Sequence, residues 1–268
     1  MDPKATSASV EITRDGRIAI VRFDRGFRAN PLSLAGLREL AEVARGFHDC
    51  PDVSAVILTG RADGFCMGMD LKDPAQAESR EGGMATRRVD LRSGPRMCQA
   101  WEDIDAITIC AIEGWCVGGG AALAAACDLR VMAESARVYV PEVERGMNMS
   151  WGSIPRFTAL VGPARAKRIA ALCEQIDAPT ALDWGLADAV CADGEALATA
   201  RAIARRAAQL PPTAMKMVKH DVNVAALALA RATAHRDLDA FALTEKSADF
   251  REGVDSFLEG REPRFTGD

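Results

Sequence analysis

The feature that most limits what this chain can fold into is a pair of glycine-bearing segments, each downstream of a short apolar run. The first is Gly64-Phe65-Cys66-Met67-Gly68-Met69-Asp70-Leu71, a few residues after Val53-Ser54-Ala55-Val56-Ile57-Leu58-Thr59. The second is Gly114-Trp115-Cys116-Val117-Gly118-Gly119-Gly120, directly after Thr108-Ile109-Cys110-Ala111-Ile112, and it opens an alanine-rich run over 121–127. Apolar runs of this length ended by glycine read as buried strands, and the alanine run reads as a helix. The first N–H groups of that helix lack intrahelical partners and sit at the positive end of its dipole. Glycines let a ligand oxygen reach them without side-chain interference. Phosphate binding is the competing use of such a cluster, but G-x-G-x-x-G fails at Leu123 and no G-x-x-x-x-G-K-[ST] occurs. Close helix–strand packing is the purely structural use, and the triple glycine alone does not separate it from ligand binding.

Strand and helix alternate around these segments. Residues 10–13 and 18–23 are β-rich runs about Asp15-Gly16, a hairpin pair. Residues 33–49 carry apolar positions at helical spacing behind Ser33, a predicted N-cap. Residues 128–132 and 137–140 read as two more strands, so the first two thirds are an α/β pattern. From about Pro163 the chain is predicted to turn helical, over 164–172, 180–184, 194–210, most of 212–249, and 254–259. The charged, weakly periodic stretch 72–95 reads either as a mobile segment beside a site or as an ordinary surface loop. The expected organisation is a core over 1–200 and a helical region over 201–268.

Bulk composition narrows the function classes. No run approaches the roughly 18 uninterrupted apolar residues of a membrane span, and Met1-Asp2-Pro3-Lys4-Ala5-Thr6-Ser7 contains no apolar signal core. A cytoplasmic chain with its eight cysteines reduced is therefore expected. Those cysteines form no C-x-x-C pair and have no nearby histidine, so no metal site is expected. A net charge of −5 argues against nucleic-acid binding, while leaving room for a local basic patch toward a phosphorylated ligand.

The glycine segments also belong to a longer ordered set. It comprises Asn30-Pro31-Leu32-Ser33, Phe65 to Leu71, Gly114 to Ala121, Ala126-Cys127-Asp128-Leu129-Arg130 and Pro141-Glu142. Further along come Leu160-Val161-Gly162, Ala181-Leu182-Asp183-Trp184-Gly185-Leu186-Ala187-Asp188, Phe250-Arg251-Glu252-Gly253-Val254 and Phe257-Leu258-Glu259-Gly260-Arg261. In this collinear set, running from about residue 10 to 265, the chain resembles the enoyl-CoA hydratase/isomerase (crotonase) superfamily. The resemblance implies an α/β fold, a spiral of ββα units with a C-terminal helical region used in trimer packing, as homotrimer or hexamer. It implies an acyl-CoA thioester as substrate, with coenzyme A arriving on the substrate and no separate cofactor. It also implies an oxyanion hole whose donors are the backbone N–H groups of Met69 and Gly119. The coenzyme A moiety is expected near Arg25, Arg28, Ala29, Ala62, Gly68, Asp70 and Leu71, with the two arginines as phosphate contacts.

Two glutamates commonly serve hydration in this superfamily. The position of the first is Ala122 here, and Glu142 matches the second. Between Val140 and Val143, Glu142 is expected to be partly desolvated, which raises a carboxyl pKa toward values useful for proton transfer. One carboxylate beside an oxyanion hole suffices to carry a proton from C2 to C4, so 3-enoyl to 2-enoyl isomerisation is favoured. Hydration with water organised by Glu142 stays open, as does an acyl-CoA binder without turnover. An extended backbone would put Glu144 on the same side as Glu142. Ser150 stands where some members carry an extra acid, and a hydroxyl cannot replace it. Met67, Met84, Met97, Trp101, Met147, Met149 and Trp151 are candidates for lining the acyl cavity.

Overall fold

The hairpin forms as its turn residues require. In the structure, a computed structural model that describes residues 9–27, 29–48, 50–233 and 236–268, β1 (Ser9–Asp15) pairs antiparallel with β2 (Ile18–Asp24) about Gly16. The candidate phosphate contact Arg28 and the N-terminal segment read for a signal both lie outside the described residues. The hairpin is the edge of a six-stranded sheet ordered β1-β2-β3-β4-β6-β9. Its further members are β3 (Ala55–Thr59), β4 (Ile107–Ile112), β6 (Leu129–Ala133) and β9 (Ala189–Cys191). From β2 onward all neighbours are parallel. A second sheet of three short strands joins β5 (Trp115–Val117), β7 (Arg137–Tyr139) and β8 (Ile176–Asp177).

Side-chain alternation puts the large sheet between two apolar layers. Ala19, Val21, Val56, Leu58, Cys110 and Ile112 join the main core, with α1 (Leu34–Gly46), α4 (Ser93–Glu102) and α5 (Gly119–Ala125). Ile18, Ile20, Ala55, Ile57, Ile109 and Ala111 share the other layer with α8 (Ala196–Ala208), whose Ala196, Ala200, Ala204 and Ala207 let it lie close on the strands. Ser33 caps α1 as expected, its Oγ accepting from the Gly36 N–H at 3.1 Å.

Three features depart from the sequence expectations. The stretch over 72–95 is mostly helical, as α2 (Pro74–Glu81), α3 (Met84–Leu91) and the start of α4. Asp73 organises it, with Oδ1 accepting from Ala75 N at the head of α2 and Oδ2 from Leu34 N at the head of α1. Helix begins again at Ser153, ten residues before Pro163, because α6 (Ser153–Ala170) runs through a non-helical break at Gly162. Strand β5 lies inside the glycine segment itself, where three residues between glycines give no readable period. Beyond α7 (Ala178–Trp184) and α8, the C-terminal part folds as α9 (Pro212–Thr233), α10 (Asp237–Thr244) and α11 (Ala248–Glu259).

Candidate active site

The two glycine segments are hydrogen-bonded to each other. Cys66 N donates to Trp115 O at 2.9 Å and Val117 N to Cys66 O at 2.8 Å, so the first segment runs as a parallel partner of β5. Leu32 N donates to Gly68 O at 2.7 Å and Asp70 N to Leu32 O at 2.9 Å. That ladder brackets Met69 and turns its own N–H away from Leu32. Gly68 has a φ of +84°, and a Cβ there would sit 2.9 Å from Val117 O and 3.4 Å from the Gly119 nitrogen. The approach of the two segments thus requires glycine. Among the described residues neither the Met69 nor the Gly119 N–H has a hydrogen-bond partner. Both residues line one cavity.

The three consecutive glycines answer to three different neighbours. Gly118 has a φ of +51°, and a Cβ on it would lie 2.6 Å from Glu142 Oε1. A Cβ on Gly119 would meet the Trp151 ring at 2.6 Å, and one on Gly120 would meet the Cys66 Cβ at 2.7 Å. Turn geometry, an open N–H and tight packing therefore coexist in one run. The packing use and the ligand use of the motif are both present.

Glu142 stands at the head of a 3₁₀ turn over Val143–Arg145, and its own carbonyl accepts from Arg145 N and Met147 N. Its carboxyl faces the same cavity as the two N–H groups. Oε2 is out of solvent contact and has no hydrogen-bond partner among the described residues. Burial pushes the pKa up to about 7, against smaller opposing effects from its own backbone N–H and the Arg145 charge. A buried carboxyl poised near neutrality, with one oxygen unused, can accept and return a proton.

Glu144 does not join it. The backbone after Glu142 is a 3₁₀ turn rather than extended, and it carries Glu144 to the Tyr139 hydroxyl, which donates to it. Ala122 is fully buried in α5, and its methyl stands where the resemblance implies a glutamate in hydratases. Ser150 lines the cavity and is buried, its carbonyl accepting from Ser153 N.

Arg25 and Asp70 are brought together as an ion pair at 2.6 Å, with the arginine side chain only 5% exposed. Arg25 Nη1 also reaches Pro31 O, and Asn30 ties the same loop down through its amide to Phe23 O and Phe65 O. In this arrangement Arg25 braces the loop against the Gly68–Leu71 segment. Ala29 and Ala62 are exposed, Gly68 is buried, and Leu71 lines the cavity beside Met69.

Of the apolar candidates, Met147, Met149 and Trp151 line the cavity, Met97 and Trp101 are fully buried in the core, and Met67 and Met84 are exposed. Trp151, at a φ of +63°, lies over both Gly119 and Gly94, where a Cβ would come within 2.0 Å of its ring. Sequence reasoning missed another part of the wall. Gln76, Ser79 and Arg80 from α2, Arg87 and Asp90 from α3, and Leu238, Phe241 and Glu245 from the α10 end also face the cavity. The Asp73-Pro74 pair was a readable helix start, but nothing in the sequence linked α2 and α3 to residues 150 positions later. Among the described residues no cluster could hold a metal ion, and no helix is long and apolar enough to cross a membrane.

Comparison with known proteins gives the family. The family model for enoyl-CoA hydratase/isomerase matches residues 13–268. The probable enoyl-CoA hydratase echA8 of Mycobacterium bovis is 30% identical over 271 residues, covering 97% of this chain and 99% of that one. The 1,2-epoxyphenylacetyl-CoA isomerase of Escherichia coli is 30% identical over 232 residues, 85% of this chain and 87% of that one. An enoyl-CoA hydratase structure from Mycobacterium avium subsp. paratuberculosis superposes with a TM-score of 0.85 at 25% identity, covering 97% and 99%. Two facing backbone donors, a buried carboxyl and a match over nearly the whole length converge: this chain is an acyl-CoA-processing enzyme of the enoyl-CoA hydratase/isomerase family, with the crotonase fold.

Proposed function

We propose that the protein isomerises a 3-enoyl-CoA to a 2-enoyl-CoA, with Glu142 as the single acid/base and the Met69 and Gly119 N–H groups as the oxyanion hole. Removing a proton from C2 gathers negative charge on the thioester oxygen. Two fixed donors there favour that state over the ground state, each worth roughly 3–4 kcal/mol by analogy with other oxyanion holes. Glu142 takes the C2 proton and returns it to C4. The observation that carries this reading is the orphaned Glu142 Oε2 in the cavity that both N–H groups line. Ala122 leaves no second carboxylate on α5 to organise the water of hydration. Coenzyme A would lie along Ala29, Ala62, Gly68, Asp70 and Leu71, with Arg25 holding that loop in place. A cytoplasmic homotrimer or dimer of trimers, packed through the C-terminal helices, completes the proposal.

Hydration is the second reading, favoured by the name of the Mycobacterium bovis relative; there Glu142 would activate a water for attack at C3. Supplying the purified protein with a 3-enoyl-CoA and a 2-enoyl-CoA separates the two. The expected result is double-bond migration without water addition, reduced on the order of 10²–10⁴-fold in Glu142→Gln. Hydration faster than migration would replace the first reading by the second. Binding of both esters with neither reaction would leave an acyl-CoA binder.

A further inference from the structure

We infer that Trp151 sets the length of acyl chain that the site accepts, closing the cavity behind a short acyl group; this rests on the acyl-CoA reading above. Several independent features hold its indole in place. The backbone of Trp151 has a φ of +63°, a conformation that bulky side chains rarely adopt. Its carbonyl accepts from Arg156 Nη1 at 2.9 Å, and Arg156 Nε is bonded in turn to Glu102 Oε2 at 2.7 Å in a buried ion pair. The next N–H, that of Gly152, donates to Asp237 Oδ2 at 2.8 Å, at the head of α10. The ring itself takes up space that Gly94 of α4 and Gly119 of α5 leave free, where a Cβ would lie 2.0 Å and 2.6 Å from it. Strained backbone persists only where its surroundings over-determine it, and it gathers at functional sites.

The position of the ring says what it does. Outside the site cavity lies a second space, a groove of about 550 Å³ that runs past Met84, Pro95 and Ala242. Leu91, Trp151 and Leu238 line both spaces, so these three side chains stand between them. Trp151 is the largest of the three, and its ring lies over Gly119, a proposed oxyanion donor. A thioester held at that N–H therefore starts its acyl chain beside the indole. The cavity on the inner side has a volume of about 110 Å³, against an engineered cavity of about 150 Å³ that takes benzene. Roughly four or five carbon atoms fit in that ratio. A longer chain must move the ring or leave its methylenes in water, and the grip of Arg156 and Asp237 on the Trp151 backbone opposes the first. Removing the indole joins the cavity to the groove and gives a long chain a path.

Calorimetric binding of saturated, unreactive esters tests this without turnover, with acetyl-, butanoyl-, hexanoyl- and octanoyl-CoA compared with free coenzyme A. In the wild type, affinity is expected to rise about fourfold per methylene to butanoyl-CoA and to be about tenfold or more lower for octanoyl-CoA. Trp151→Gly, which suits the positive φ, is expected to reverse that order and bind octanoyl-CoA best. Trp151→Phe is expected to bind hexanoyl-CoA better than the wild type while keeping the decline at octanoyl-CoA, and it decides the matter where the Gly variant fails to fold. Ratios between esters within one variant cancel any uniform loss of affinity. Affinity that keeps rising to octanoyl-CoA in the wild type, or a decline that neither substitution moves, would overturn the inference and leave the acyl-CoA reading standing. Esters that bind no better than coenzyme A at any length would overturn both.

Discussion

At the scale of single residues, Glu142 and Glu144 show how little sequence distance says about role. They are two positions apart, yet the 3₁₀ turn between them sends one carboxyl into an enclosed cavity and the other to the Tyr139 hydroxyl. Desolvation then raises the Glu142 pKa to about 7. The sign of the consequence for stability is fixed. A carboxyl whose folded pKa lies above its unfolded value, near 4.5, contributes stability in full below about pH 4.5 and loses it as pH rises through 7. The loss from this group is about 3 kcal/mol between pH 4.5 and 8.5. Urea unfolding of wild type and Glu142→Gln across that range should show the variant gaining about that much relative to wild type. A gap independent of pH would mean that Glu142 is solvated and ionised like a surface carboxylate.

At the scale of elements, legibility followed periodicity and capping. The hairpin, β3, β4, α1 and the glycine run entering α5 announce themselves through Asp15-Gly16, Ser33 and apolar runs, and burial on both faces leaves β3 and β4 with threonine as their sole polar residue type. The small sheet does not, since β5 and β8 are three and two residues long and take their pairing from distant chain. Helices α2 and α3 are hidden for another reason. Their polar residues face inward toward a cavity, so no apolar stripe marks them. One close contact between elements bears on the turn that carries Glu142. A Cβ on Gly253 of α11 would lie 2.5–2.8 Å from the Arg145 backbone, in the turn that carries Glu142. Gly253→Ala is expected to cost roughly 1–3 kcal/mol by overpacking and to lower kcat far more than affinity for the ester. Unchanged kcat in a destabilised variant would show that this turn tolerates displacement.

For the whole molecule, the site is assembled from parts far apart in the chain. The proposed donors come from residues 69 and 119, the proposed acid/base from 142, and the charged wall from residues near 80, 87 and 245. The large sheet sets the spacing of the first three through β3, β4 and the segment pairing of Cys66 with Cys116. Helix α10 closes the cavity rather than standing apart from it, since Leu238, Phe241 and the following Glu245 line it. Sequence motifs point to the proposed donors and acid/base because those roles need fixed residue types at fixed spacing. The wall from α2, α3 and the end of α10 follows no fixed spacing of residue types, so no motif marks it. The most direct test of the account is a structure with a saturated acyl-CoA bound. The thioester oxygen is expected about 3 Å from both the Met69 and Gly119 nitrogens, with the Glu142 carboxyl facing C2. A thioester oxygen beyond hydrogen-bond reach of either nitrogen, or a C2 turned away from Glu142, would contradict it.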